Sequence, residues 1–310
     1  MKICVIGAAG SIGAPTAFCI GERKLAETIA MIDLPGDNLN SHVSDLSTGL
    51  SSEDIEVVSG GLELLEDASL VVMAASVPTN KQSSNHELLR SNLALIAEIA
   101  CSIKRYCPEA ILIQVTNPIE SLAYAAYQVA GMKRKKIIGY TINDSFRFQM
   151  LMAKCLNTDP SRVEAIVIGE HGLTQVPVFS NVKVDGHSVE ILDEVKQQAV
   201  SRIPEIFKEL AYYRKNTGRT AGWTTAIGIA DLVQAVVTDS KKILPCSTIL
   251  KGEYGMIDIC LGVPAVIGKS GVERIIELML SPEEELSLEV SAKVVRKATA
   301  NVMEMLQEKK

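Results

Sequence analysis

Several short segments carry side-chain types that can do chemistry. The tetrapeptide Gly169-Glu170-His171-Gly172 sets a histidine between two glycines, directly after an apolar run at residues 165–168. Imidazole titrates near neutrality, so an accessible histidine can take and return a proton during a reaction. A lone histidine can equally be a structural hydrogen-bonder, but a sharp glycine-flanked turn leaves the ring accessible. Such a base needs a carboxylate to fix its tautomer and stabilise the imidazolium. Asp144-Ser145-Phe146-Arg147 offers one. Asp144 and Arg147 are three apart and share a face on a helix, so one can hold the histidine while the other grips an anion through its planar fork. The alternative is a surface ion pair on a helix's first turn. Thr116-Asn117-Pro118 adds an amide able to bond a ribose or a substrate oxygen; otherwise it is an ordinary turn.

A fourth segment, Gly7-Ala8-Ala9-Gly10-Ser11-Ile12-Gly13, runs from an apolar strand pattern into a helical one. Glycines there allow a tight turn and a close backbone approach to a pyrophosphate, and the helix start supplies N–H donors and partial positive charge. Alone the pattern is weak. Asp33, twenty residues past Gly13 at the end of the next strand, strengthens it, because a carboxylate there can bind ribose hydroxyls and would repel a 2′-phosphate. The pair favours NAD over NADP. The competing account of Asp33 is a turn-capping aspartate ahead of Pro35-Gly36.

The elements that must position these groups follow from hydrophobic patterning. Strands are expected at residues 3–7, 28–33, 55–59, 70–75, 111–116 and 136–141, separated by helical stretches. The clearest helix is 87–106, with Leu88, Ser91, Leu95, Ile99 and Ile103 along one face. Near-continuous apolar strands alternating with helices imply a doubly wound parallel sheet, which binds ligands at the carboxyl ends of its strands. After residue 142 the pattern changes: a helix to about 156, β-rich segments at 163–168 and 176–184 with a hairpin at Asp185-Gly186, and helices at 191–215 and 220–237. A β-rich portion at 242–267 and a charged, solvated amphipathic helix from Pro282 complete the chain. This reads as an α/β protein with a dinucleotide-binding domain at 1–142 and an α+β catalytic domain at 143–310.

A chain of 310 residues, 47% hydrophobic, can bury a large core. Its net charge of −6, and one short basic run at Lys133–Lys136 best read as a surface turn, point away from nucleic acid. No apolar stretch reaches the roughly 20 residues of a membrane helix. Seven cysteines, without a C-x-x-C pair, read as small core residues in a reducing, cytoplasmic setting, with no metal site indicated.

Taken together and in order, GxxGxxG, TNP, DSxR and GEHG resemble the NAD-dependent malate and lactate dehydrogenase family over essentially the whole chain. The GAAGSIG spacing and Arg219-Thr220-Ala221-Gly222-Trp223 look more like the malate branch. The resemblance implies a Rossmann-type N-terminal half and reversible hydride transfer between a 2-hydroxy acid and NAD. His171 would be the acid/base, Asp144 its partner, Arg147 the clamp on the substrate carboxylate and Asn117 a contact to substrate and cofactor. Gly7, Gly10, Ser11, Ile12, Gly13, Asp33, Asn92 and Thr116 would bind NAD. A homodimer or homotetramer is also implied, and Trp223 would line the pocket, the core or a subunit interface.

The segment at residues 76–92, SVPTNKQSSNHELLRSN, is where the family places its mobile active-site loop, and here the pattern departs. The position that reads the substrate's far end falls on Thr79, and the carbonyl-polarising position on Asn85; neither is arginine. Losing a donor aimed at developing charge costs about 10²–10³ in kcat. Arg90 lies five residues on, roughly 140° around a helix from Asn85, so it should face elsewhere; Lys81, on the polar part, is the better substitute. Leu173 after GEHG, Asn143 before the DSxR segment and Phe146 within it are further departures. The substrate is therefore expected to be atypical, with a catalytically weak NAD(H)-binding sensor or scaffold as the alternative.

Overall fold

The computed structural model describes residues 1–77, 85–217 and 221–308, and for residues 85–88 and 214 the backbone alone. Thr79 and Lys81 lie outside the described residues, as do Arg219 and Thr220; Asn85 opens a helix, and its side chain lies outside them.

The N-terminal half alternates as the patterning anticipates. In order run β1 (Lys2–Ile6), α1 (Gly13–Glu22), β2 (Thr28–Ile32), α2 (Asp37–Gly49), β3 (Glu56–Gly60), β4 (Leu70–Met73), α3 (Asn85–Tyr106), β5 (Ile111–Gln114), α4 (Ile119–Ala130) and β6 (Ile137–Tyr140). Each expected strand forms within two residues of its anticipated ends. They pair in parallel in the order β3-β2-β1-β4-β5-β6. The order reverses between β1 and β4, the crevice where doubly wound sheets bind ligands. Alternate residues of β1 serve two layers: Ile3 and Val5 join a cluster with Ala17 and Ile20 of α1, and Cys4 and Ile6 join one with α3 and α4. On α3 the buried stripe is Leu93, Ile96, Ile99, Ala100 and Ile103. Ile99 and Ile103 fall where expected; Ser91 is exposed, because the apolar repeat is anchored on Ile96 instead.

The second half contains α5 (Ile142–Cys155), β7 (Val163–Glu164), β8 (Val167–Ile168), β9 (Val176–Pro177), β10 (Lys183–Val184), β11 (His187–Ser188), α6 (Asp193–Thr217), α7 (Trp223–Val237), β12 (Lys242–Lys251), β13 (Ile257–Gly268), β14 (Gly271–Ile275) and α8 (Pro282–Gln307). The Asp185-Gly186 hairpin joins β10 to β11. The expected strand 176–184 is instead broken by a 3₁₀ turn at Phe179–Asn181. The cause is tertiary: Glu284 of α8 accepts from the Ser180 N–H at 3.0 Å and its hydroxyl at 2.6 Å, drawing that backbone out of a ladder. Residues 163–168 likewise divide, β7 pairing with β10 and β8 with β9.

β12, β13 and β14 do not form a separate sheet. They extend the first one antiparallel at β6, through Cys246 opposite Tyr140 and Ser247 opposite Gly139, giving nine strands in one sheet. The last helix is also less solvated than expected: Ser281 and Glu284 form a capping box at its start, and Leu288, Val295 and Val302 are buried on its inner face. Four of the seven cysteines are buried; Cys101 is exposed, and Cys19 and Cys155 are half-buried. Lys133 and Arg134 of the basic run pair with Glu109 and Glu253. No helix among the described residues is long and apolar enough to cross a membrane.

Candidate active site

The glycine-rich turn lies at the β1/β4 switch point. A side chain on Gly7, whose φ is +84°, would come within 2.6 Å of the Ala75 backbone after β4, and one on Gly13 would run into the Gly7 carbonyl. The turn is therefore closed by backbone against backbone, which admits only glycine. Gly10 donates to the Gly7 carbonyl at 3.0 Å, while the N–H groups of Ser11, Ile12 and Gly13 have no partner among the described residues. They sit at the start of α1, where the helix dipole adds positive potential. Asp33 accepts from the Ala9 N–H at 2.8 Å, holding the turn against the end of β2. A cradle no Cβ can share, unpaired N–H donors and an adjacent carboxylate fit a dinucleotide pyrophosphate and its ribose. Thr116 turns its hydroxyl to the Ala75 carbonyl at 2.7 Å, and Asn92 accepts from the Val77 N–H at 2.8 Å, so both brace the rim of this crevice. Asn117 is exposed there.

The acid/base cluster is built from four elements. The Gly169–Gly172 turn follows β8, and each of its four N–H groups is bonded. Gly169 donates to the Gly262 carbonyl at 2.8 Å and Glu170 to the Ser291 hydroxyl at 2.8 Å. His171 donates to the Glu120 carboxylate at 3.0 Å and Gly172 to the Glu170 carbonyl at 2.9 Å. Gly169 has a φ of +87°, and a Cβ on it would meet the Ser291 hydroxyl at 2.7 Å, so the sharp turn needs that glycine.

α5 carries the partners. Asp144 Oδ2 lies 2.5 Å from His171 Nδ1, and its other oxygen accepts from Arg147 Nη1 at 3.0 Å, so the two residues share a face as their spacing predicts. Asp144 is 3% exposed and His171 14%; this is not a surface ion pair. Ser145 accepts from the Val167 N–H at 2.9 Å and thereby ties α5 to the strand that carries the histidine turn. Burial alone would drive the imidazole toward its neutral form, but the Asp144 carboxylate overrides it and raises the His171 pKa above the ordinary histidine value. Behind the pair, Phe148, Leu151, Ile206 and Phe207 line the apolar side of a narrow cavity of about 20 Å³ that Asp144 and Arg147 also border. A larger groove of about 650 Å³, between α6 and the start of α8, contains none of the His171 set.

Two features were not legible beforehand. Asn143 is buried between Tyr140, whose hydroxyl donates to it at 2.7 Å, and Thr225, to which it donates at 2.8 Å, and so pins α5 to α7. Glu120, on α4, received no role from the sequence. Its one signal was being the sole charged residue in the twelve of that helix. Arg90 is exposed and pairs with Glu308 at the end of α8. Leu173 is exposed, Phe146 packs against the core, and Trp223 is 66% exposed, which rules out core packing for that indole. No cluster of metal-ligating side chains occurs among the described residues.

Two family models cover the chain: the lactate/malate dehydrogenase NAD binding domain over residues 1–139, and the lactate/malate dehydrogenase alpha/beta C-terminal domain over residues 141–306. Malate dehydrogenase 1 of Anaeromyxobacter dehalogenans is 33% identical over 307 residues, covering 96% of this chain and 97% of the relative. Among solved structures, the malate dehydrogenase of Picrophilus torridus in its apo form superposes with a TM-score of 0.91 at 28% identity, over 100% of this chain and 99% of that one. The lactate dehydrogenase of Cryptosporidium parvum, complexed with lactic acid and nicotinamide adenine dinucleotide, gives 0.89 at 30% identity over 97% of each chain. Neither branch stands apart by identity, but both halves of the molecule lead to one statement: this chain belongs to the lactate/malate dehydrogenase family.

Proposed function

We propose that the protein is an NAD-dependent dehydrogenase of a 2-hydroxy acid in which His171 is the acid/base, Asp144 stabilises the imidazolium and Arg147 binds the substrate carboxylate. The observation that carries this reading is the buried 2.5 Å contact between His171 Nδ1 and Asp144. With Nδ1 engaged, Nε2 is the ring nitrogen left to exchange a proton with the substrate hydroxyl. Gly7, Gly10, Ser11, Ile12, Gly13 and Asp33 hold the cofactor's pyrophosphate and ribose in this reading, with Asn92, Thr116 and Asn117 near its nicotinamide end. NAD, when bound, supplies the hydride acceptor, so the 2-hydroxy acid leaves as a 2-oxo acid. His171 retains the hydroxyl proton and returns it in the reverse direction. Arg147 must exchange part of its contact with Asp144 for the incoming carboxylate, which the planar guanidinium can do because it has further donors. Residues 1–142 serve the cofactor and 143–310 the substrate.

His171→Asn tests the assignment. Turnover should vanish while NADH binding survives; turnover that persists would sink it. The substrate itself is proposed to be atypical, since Thr79 and Asn85 stand at the two loop positions where arginine is usual in the malate branch. Asn85→Arg decides this: a gain of tenfold or more in oxaloacetate or pyruvate reduction means a weakened version of the usual site, and no gain means a different substrate pose. A homodimer or homotetramer is part of the reading, supported by Phe18 on α1 and Trp223 and Ile227 on α7, large apolar side chains exposed on two helices that pack together. Light scattering should give a mass above one chain. A cytoplasmic setting is supported by the seven cysteines being free thiols, four of them buried in the core.

A further inference from the structure

We propose that Glu120 is a positioning residue for His171: its buried carboxylate fixes the main chain that carries the imidazole, as Asp144 fixes the ring. This rests on the reading of His171 as the acid/base. Glu120 is 3% exposed, and a single oxygen, Oε1, receives both the His171 N–H at 3.0 Å and the Ser247 hydroxyl at 2.8 Å. One carboxylate therefore clamps three elements: α4, which follows the Thr116-Asn117-Pro118 turn; the histidine turn; and β12, at the seam where the second half of the chain joins the sheet.

A helix or turn could be tied down by a neutral group. A carboxylate taken out of water without a paired cation costs several kcal/mol, and no lysine or arginine forms an ion pair with Glu120 among the described residues. Its compensation comes from the α4 N-terminus, where it is the second residue, and from the imidazole of His171. The charged groups around that ring are Asp144 and Arg147 from α5 and Glu120 from α4. The Cys260 thiol of β13 faces Glu120 as well, but burial pushes its pKa far up and keeps it neutral. With Glu120 ionised, the set carries a net charge of −1 when the ring is neutral and is balanced when the ring is protonated. Burial raises the Glu120 pKa while His171 pulls the other way, so each group's proton is felt by the other. The two carboxylates act on the imidazole in the same sense, Asp144 from the ring side and Glu120 from the backbone side, both raising its pKa.

Two variants test this in the full-length protein. Glu120→Gln keeps an oxygen for both donors and removes the charge; Glu120→Leu removes both. In Glu120→Leu, kcat should fall tenfold or more with NADH affinity within twofold of wild type, and Glu120→Gln should recover most of that loss. The His171 imidazole, followed by NMR of labelled histidine and assigned with His171→Asn, should titrate lower by roughly half a pH unit or more in Glu120→Gln. Wild-type kcat in Glu120→Leu overturns the proposal. So does an unshifted imidazole titration in Glu120→Gln, which would leave Glu120 with a structural part only. Should Glu120→Leu fail to fold, the Glu120→Gln titration decides alone. Full turnover in His171→Asn is a separate failure, of the acid/base reading itself.

Discussion

Replacing Asp144 with asparagine isolates the carboxylate's charge from its geometry. The asparagine side chain is close to isosteric, so its oxygen can still accept from His171 Nδ1–H, and the buried wall behind it is undisturbed. At 2.5 Å, with an effective dielectric of about 20, an imidazolium and a carboxylate attract by about 6–7 kcal/mol. A neutral hydrogen bond is about half as strong as a charged one. The variant therefore loses about 3 kcal/mol from the protonated ring, equivalent to about two pKa units or about 10² in rate. Arg147, deprived of its partner, adds repulsion in the same direction. Because the His171 pKa is raised in the wild type by Asp144, 2-oxo acid reduction, which consumes the imidazolium proton, should persist to pH values above the ordinary histidine range and decline beyond them. In Asp144→Asn that decline should move about two units toward acid, so reduction at neutral pH falls about 10²-fold and partly recovers on acidification. Oxidation, which needs the neutral ring, should begin at lower pH but with a depressed maximum. The assay is NADH absorbance in both directions across the pH range, with NADH binding as the control for folding. Reduction within threefold of wild type at neutral pH, with an unmoved profile, would refute the argument.

Three further outcomes are expected. Gly13→Ala forces a methyl group onto the Gly7 carbonyl, backbone that cannot yield, so NADH affinity should drop at least tenfold or the melting temperature should fall; unchanged values for both would reject the cradle. Arg147→Lys retains the charge but not the fork, and KM for the 2-oxo acid should rise roughly tenfold, with kcat less affected; steady-state kinetics showing an unchanged KM would remove Arg147 from substrate binding. Asp33→Ser removes a charged acceptor and a repulsive charge together, so the kcat/KM ratio should shift from NADH toward NADPH by roughly tenfold or more; a ratio that stays put would leave Asp33 to its bonds with the Ala9 and Leu34 N–H groups.

The parallel half of the molecule was readable because its signal is local. Strands buried on both faces must be apolar at nearly every position, as Leu70–Met73 and Ile111–Gln114 are, bar one amide, and each is punctuated by a helix of fitting length. The second half encodes its pairing non-locally. Whether residues 176–184 form one strand depends on Glu284, a hundred residues away, capturing Ser180. That β12 would join β6 could not be read either, since nothing in Cys246 or Ser247 names Tyr140 and Gly139 as partners. Sequence patterning therefore marks off an α+β domain at 143–310 but leaves its strand pairing open, where the molecule extends the first sheet.

The same distinction explains which parts of the site were legible. His171, Asp144 and Arg147 could be assembled in advance because helix spacing puts Asp144 and Arg147 on one face, and the chemistry of a histidine base asks for a carboxylate. Glu120 could not, because its partner is the main-chain N–H of His171, and a backbone donor leaves no mark on composition or spacing. At the first turn of a helix, a glutamate ordinarily reads as a solvated complement to the dipole. Only the sheet's continuation through β12 explains why it is buried here. The added strands bring Ser247 against Glu120, and the Gly169–Gly262 bridge draws the histidine turn down onto β13. The unanticipated sheet extension and the unanticipated carboxylate are thus one fact: the strands that join the two halves also form the floor on which the acid/base is held.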